Sequence, residues 1–406
     1  MQWREPGASP RKILFAGDVA PNVANIDAIL GFGVEKIFAE VKPFFAAADL
    51  SIVQWETPLA EDSGCAPIPK SGPNLVCPPR GVKILEALGA DVALLANNHV
   101  GDQGDRAVEA TIRTLEAAGI RTVGAGENLA AASAPLRLDL GGLKLSLVNA
   151  AEHEFGTATR SSPGSAPLDV PEVMKLIRAE KSAGYRVLAA LHGGHEYDPY
   201  PSPRMVKLFR MFAEGGADAV FNCHTHCPEG VEVHDGVPIV YSPGNFYFPL
   251  RNEEKTPLPT WFLGYLTVIG VDEAGAFSLE LVPYRFAKER VSPLAGSDRA
   301  NFDGYMETLS RPLGDPVELE RLFDLWSVFH GFHYVRGAMK KSAGAGLDFS
   351  DPETVKKFLA FRNTHTCESH CDMLGAFFRL AEKGLIPAEP TLDSELASLQ
   401  QGPQLA

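Results

Sequence analysis

The chain has 406 residues and 51 Asp and Glu against 37 Lys and Arg; its formal net charge of −14 argues against nucleic acid as the main partner, because phosphate binding needs a basic footprint. A hydrophobic fraction of 45% fills a large core and excludes global disorder. An anionic substrate stays open, since a metal centre can place positive charge inside a negative protein.

The first twenty residues, MQWREPGASPRKILFAGDVA, lack the pattern of a signal peptide. No run reaches the ~18–20 apolar residues of a membrane span, so no membrane anchor and a cytoplasmic location are expected. Six scattered cysteines, none in a CxxC pair, read as reduced thiols. Residues 13–17 (ILFAG) predict a buried strand ending at a Gly-Asp turn, and a helical pattern covers 34–46. LSIVQWE (50–56) is a second strand ending in a carboxylate. The Pro-, Gly- and Ser-rich stretch 60–80 predicts a surface loop, followed by a helix near 80–88. VALLAN (92–97) is a third strand, NNHVGDQG a turn, and Asp105 the expected N-cap of an amphipathic helix to about Ala118. LKLSLVNA (143–150), RVLAALH (186–192) and DAVFNCH (218–224) are further strands. From 229 to 286 the pattern turns to hairpins, with His234-Asp235-Gly236 and Asp272-Glu273-Ala274-Gly275 as turns. Helical periodicity then covers 317–340, 352–363 and 368–383. Alternating strands and helices followed by hairpins suggest an α/β sandwich of mixed sheets. The expected division is a core at 12–294, a helical extension on or near the site at 295–390, and a polar tail at 391–406.

Asp18, Glu56, Asn98-His99, His192 and His224-x-His226 each follow an apolar strand. Strand ends are where ligands bind in α/β folds, and carboxylate, amide and imidazole hold ions of the Zn, Mn or Fe kind. Any one of these residues alone reads as a turn or a hydrogen-bonded structural residue. His224-x-His226 carries more weight, because an extended spacing of two points both imidazoles to one side. Tyr241, Ser242 and Asn245 follow another strand and could orient substrate or neighbouring groups. Arg204 and Lys207 could meet substrate carboxylates, though a solvated helix face is the simpler expectation. Cys223 and Cys227 fit packing better than soft ligation. Cys367, His370 and Cys371 share a helical face, where an inward structural role is expected over metal binding.

Gly17-Asp18, Glu56-Thr57-Pro58-Leu59, Asn97-Asn98-His99-Val100-Gly101-Asp102-Gln103-Gly104, Gly124-Ala125-Gly126, His192-Gly193-Gly194-His195-Glu196-Tyr197, His224-Thr225-His226 and Tyr241-Ser242-Pro243-Gly244-Asn245-Phe246 occur in that order. The set, over about residues 12–250, resembles the capsule-synthesis (CapA) family associated with poly-γ-glutamate, and Asn363–Leu374 looks like that family's helical extension. The resemblance implies a four-layer α/β/β/α sandwich similar to calcineurin-like metallophosphoesterases, with two divalent ions (Mn, Fe or Zn). By position, Asp18 would bind one ion, Glu56 would bridge, Asn98, His192 and His224 would bind the second, and His226 would return to the first. His99 would lie outside the ligand set, as proton donor or transition-state stabiliser, with Asn97 a further candidate ligand or supporting neighbour. Two departures stand out. Asp18-Val19-Ala20 lacks the imidazole of the phosphoesterases' Asp-x-His, so the first ion is one ligand short unless His195 or Glu196 supplies it. His224 also follows Asn222-Cys223, where the family more usually has Gly-His. The expected activity is a metal-dependent hydrolase or transferase on γ-glutamyl or related anionic substrates. A phosphomono- or diesterase and a non-catalytic component of polymer synthesis are the alternatives; the missing anchor weakens the last.

Overall fold

The computed structural model of the chain describes residues 11–61, 64–249, 258–271, 277–342 and 348–405. Strand β1 (Arg11–Val19) leads through helices α1 (Ile26–Phe32), α2 (Val34–Ile37) and α3 (Lys42–Ala46) to β2 (Leu50–Trp55). Next come α4 (Lys83–Leu88), β3 (Val92–Leu94), α5 (Asp105–Ala117), β4 (Arg121–Val123), β5 (Ala125–Gly126), α6 (Leu129–Ala132), β6 (Leu136–Leu140) and β7 (Leu143–Ala151). Then follow β8 (Gly164–Ser165), α7 (Val170–Ser182), β9 (Arg186–His192), α8 (Pro203–Glu214), β10 (Ala219–Cys223), β11 (Val231–His234), β12 (Val237–Val240) and β13 (Asn245–Tyr247). Strands β14 (Leu263–Val271), β15 (Phe277–Ala287) and β16 (Arg290–Pro293) precede α9 (Gly296–Ser310), α10 (Pro316–Ser342), α11 (Pro352–Thr366), α12 (Glu368–Glu382) and α13 (Ser394–Leu399).

Two mixed sheets form the centre. One runs β16-β15-β14-β1-β2-β3-β4, with β13 also pairing β1; the other runs β11-β12-β10-β9-β7-β6. Strands β1 to β4 are mutually parallel, as are β7, β9, β10 and β12, while β6, β11 and β14 to β16 run antiparallel to their neighbours. Alternation along β1 explains the layering. Ile13 and Phe15 share a core with Leu147 and Phe221 of the second sheet, and Phe15 stacks on Phe221 at 4.5 Å. Leu14 and Ala16 point the other way, into a core with Ile29, Phe45 and Leu85 of the helices. Helices α7 and α8 add Ile177, Phe209 and Phe212 beside the second sheet, completing α/β/β/α. Each such side chain contributes ~1.5–3 kcal/mol on burial. The parallel strands of both sheets end at one edge, which puts Asp18, Glu56, His192 and His224 within reach of one another.

Several expectations change. The helix expected over 34–46 is two short helices, because Pro43 offers no N–H to continue one from α2. Gly104, at φ 78°, caps α5, and Asp105 is its first helical residue rather than its cap. The polar tail is packed: Leu396 of α13 is fully buried, and the Tyr305 hydroxyl donates to the Leu399 carbonyl at 2.9 Å. His234-Asp235-Gly236 turns between β11 and β12 as expected, while the Asp272–Gly275 turn lies outside the described residues. No helix among the described residues is long and apolar enough to cross a membrane.

Candidate metal centre

Asp18, next to last in β1, sits at a register irregularity and pairs with Gln54 of β2 and Asn245 of β13. Glu56 follows β2 directly and its N–H donates to the Val19 carbonyl at 3.0 Å. Both carboxylates are fully buried. His192 Nε2 lies 3.1 Å from Asn98 Oδ1, 3.2 Å from His224 Nδ1 and 3.3 Å from Glu56 Oε1. His226 Nδ1 lies 2.9 Å from Asn245 Oδ1 and 3.7 Å from Asp18 Oδ2. Two sets of ligand atoms fall within 4.8 Å of one another, Glu56 with His192 and His224, and Asp18 with Glu56 and His226; Glu56 belongs to both.

The backbone that brings the two histidines in is not the extended one expected. His224 sits at φ 106° and His226 at φ 57°. The His224 N–H donates to Asp18 Oδ2 at 3.2 Å, which helps hold the turn. Left-handed backbone at non-glycine residues costs roughly 1–3 kcal/mol each, a cost characteristic of ligand-holding segments.

The protonation directions describe a cluster short of positive charge. Burial, then the neighbouring Glu56, pushes the Asp18 carboxyl well up. Burial also pushes Glu56 up to about 8 and His192 down to about 3, and it lowers His224 and His226. Neither Glu56 oxygen, nor Asp18 Oδ1, nor His192 Nδ1 has a hydrogen-bond partner among the described residues. Buried acids without partners are costly, and neutral imidazoles beside them are ready ligands. This donor set fits a divalent cation.

His99 stands beside the cluster, with Nδ1 2.6 Å from Asp102 Oδ2. Asp102 Oδ1 accepts from Lys70 Nζ at 2.6 Å, and Asp102 Oδ2 accepts from the Leu75 N–H at 2.6 Å. A cavity of about 640 Å³ opens here, lined by Asn98, His99, Glu154 and His224 and, from α10 and α11, by Trp326, Tyr334 and Phe361. That volume suits a small ligand or the end of a chain.

Asp102, Lys70 and Glu154 escaped the sequence reading. Asp102 stood in the NNHVGDQG turn three residues from His99, and Glu154 just past a strand, so both carried a signal. Lys70, in the Pro-rich loop, carried none. The other expectations divide. Asn97 shapes the turn: its Oδ1 accepts the N–H groups of His99 and Val100, and its Nδ2 donates to the Trp55 carbonyl. Neither His195 nor Glu196 joins the Asp18 set; both line the cavity, and His195 Nε2 meets the Ser369 carbonyl at 2.7 Å. Tyr241 faces away from the cluster, its hydroxyl donating to Glu232 at 2.6 Å and its ring stacked on Phe209, so it is not placed to orient substrate. Ser242 Oγ closes a turn by accepting from the Gly244 N–H. Arg204 is no solvated residue, since it pairs with Glu152 at 2.5 Å and Asp372 at 3.2 Å. Cys367 reaches Glu152 and Cys371 the Thr364 carbonyl; with His370 they form no ion-sized set among the described residues.

The chain is 28% identical over 258 residues, 61% of its length and 68% of the relative's, to the PGA biosynthesis protein CapA of Bacillus subtilis (strain 168). It is 29% identical over 287 residues, 66% and 74% of the two lengths, to a probable polyglutamine synthesis accessory protein of Mycobacterium tuberculosis (strain ATCC 25618 / H37Rv). Among solved structures, a 5'-nucleotidase precursor from Thermus thermophilus aligns at 14% identity over 70% of this chain and 55% of that one, with a TM-score of 0.39, too slight a likeness to carry an argument. The family model described as bacterial capsule synthesis protein PGA_cap matches residues 12–250, more than half of the chain, and the chain belongs to that family.

Proposed function

We propose that the chain is a metal-dependent hydrolase or transferase acting on γ-glutamyl or related anionic substrates. One observation carries the reading: Glu56 is a fully buried carboxylate, shared by two sets of ligand atoms, with no hydrogen-bond partner for either oxygen among the described residues. Asp18, Glu56 and His226 would hold one divalent ion, and Glu56, Asn98, His192 and His224 a second, of the Mn, Fe or Zn kind. Ions held there supply Lewis acidity and a water acidified towards a pKa of ~7. The residues supply the rest. Asp102 occupies His99 Nδ1, leaving Nε2 to give a proton to the leaving group. Lys70 neutralises Asp102 and keeps it in place. The substrate class is drawn from the family resemblance.

A γ-glutamyl peptide and an aryl phosphodiester, assayed side by side with metal-reconstituted protein, test this. Turnover of the peptide, cut roughly 10²–10⁴-fold by His99→Ala, is expected. Turnover of the diester alone moves the site to phosphoesters, and protein that holds no ion after reconstitution sinks both. A second reading, a non-catalytic role in polymer synthesis, draws on the word accessory in the mycobacterial relative's name. It requires that His99→Ala and Glu56→Ala leave polymer output intact.

A further inference from the structure

We infer that Glu154 is a positioning residue for the ion held by His192 and His224, and that helix α11 holds Glu154 in place, which makes the C-terminal helices part of the metal centre. The inference rests on the metal reading above. Glu154 stands on the loop after β7, with Oε1 3.5 Å from His224 Nε2. The other ring nitrogen of His224, Nδ1, is the one turned to His192 Nε2 at 3.2 Å. The imidazole is therefore met at both nitrogens. An imidazole ligand offers a lone pair on one nitrogen and carries its proton on the other, and a carboxylate at the protonated side fixes tautomer and ring plane together. Glu154 belongs to neither set of ligand atoms, and what it meets in the structure is the His224 ring.

The loop that carries Glu154 has four consecutive residues held by the C-terminal helices. Glu152 Oε2 accepts from the Ser369 N–H at 3.2 Å. His153 meets Glu368 through its N–H at 2.8 Å and through Nδ1 at 2.6 Å. Glu154 Oε2 accepts from Asn363 Nδ2 at 3.3 Å, and its carbonyl accepts from Arg362 Nη1 at 3.1 Å. The Phe155 ring lies 5.6 Å from the Arg362 guanidinium. The Asn363 carbonyl in turn receives the Cys367 N–H at 3.2 Å and lies 3.1 Å from His370 Nδ1, which ties the end of α11 to α12. A clasp on four consecutive residues of one loop, with Glu154 the one that reaches a candidate ligand, is a path from the extension to the ion. The extension lies beyond the family match at 12–250.

Metal-free full-length protein, titrated with Mn²⁺ or Zn²⁺ in a calorimeter, tests this without any activity assay. Glu154→Gln and Asn363→Ala are each expected to weaken one bound ion 10–100-fold and to leave the other unchanged, the size typical when the partner of a ligand imidazole is removed. Thermal unfolding of the metal-free variants checks that they fold. Should Asn363→Ala fail that check, the isosteric Glu154→Gln decides alone. Wild-type binding with unaltered affinities in Glu154→Gln overturns the inference and leaves the metal reading standing. Equal weakening of every ion also overturns it, since that signals general damage. Wild-type protein that takes up no ion overturns both.

Discussion

His99 Nδ1 and Asp102 Oδ2 lie 2.6 Å apart, and the opposite oxygen of Asp102 lies 2.6 Å from the buried Lys70 ammonium. The carboxylate thus serves two cations or donors at once, and removing it strands a lysine whose side chain is only 3% exposed. Asp102→Ala is expected to lower stability by about 3–5 kcal/mol, the range for orphaning one partner of a buried ion pair. Asp102→Asn keeps the volume and costs less. Denaturant unfolding measures both. In turnover, Asp102→Asn combined with His99→Ala is expected to be no slower than His99→Ala alone, because the two residues act as one unit. Additive losses would separate them.

Metal removal gives a second expectation. Glu56 is the shared carboxylate of both candidate ligand sets. Ligand at a thousandfold excess over its Kd stabilises the folded state by about 4 kcal/mol, so chelation should lower the Tm of the loaded protein by several degrees. Glu56→Gln should lose that metal-dependent increment. Its metal-free form should melt no lower than metal-free wild type, since the change removes a buried acid that has no hydrogen-bond partner among the described residues. A variant that keeps the full metal shift rules Glu56 out as a ligand.

Gly17 permits the contact that places Asp18. A Cβ at Gly17 would lie 1.9 Å from the backbone oxygen of Gly244, at the turn that leads into Asn245. Backbone cannot yield as a flexible side chain would, so Gly17→Ala has to drive β1 away from that turn. Asp18 and Asn245 are register partners, and both would shift. A stability loss of at least roughly 1–3 kcal/mol is expected, with weakened ion uptake alongside it. Denaturant unfolding and a metal titration of the same sample check the pair of effects. Unchanged ion affinity would show that the β1 terminus tolerates the shift.

Much of this arrangement was legible because it is written locally. Apolar runs such as ILFAG and RVLAALH lead directly to Asp18 and His192 at the sheet edge, and β1, β2, β9 and β10 lie where those runs predict. What failed depends on contacts that sequence spacing does not encode. The His224-x-His226 pair meets through left-handed backbone and not through an extended strand. Tyr241 follows β12 as a substrate-orienting residue would, but its hydroxyl is drawn to Glu232 on β11, the hairpin partner of β12, and its ring stacks on Phe209 of α8. Lys70 reaches Asp102 across a loop without periodicity. The clasp of α11 and α12 on residues 152–155 joins positions more than 200 residues apart.

The Glu152–Arg204 pair supplies a pH test away from the ligand atoms. Burial pushes the Glu152 carboxyl up, but the Arg204 guanidinium beside it and the hydrogen bond from Ser369 overcome this and hold it at about 2. An unfolded glutamate titrates near ~4.3, so the folded state binds this proton less readily than the unfolded one. The contribution to stability is therefore fully present above about pH 4.3 and is lost as pH falls through about 2. Its size is roughly 3 kcal/mol for a side chain this buried. Glu152→Gln should be less stable than wild type by up to that amount at pH 7, less whatever its remaining hydrogen bonds retain. The gap between the two proteins should narrow steadily from pH 5 to pH 2. Urea unfolding across that window measures the gap, and one that stays constant would mean that the charge of Glu152 does not hold the loop to the C-terminal helices.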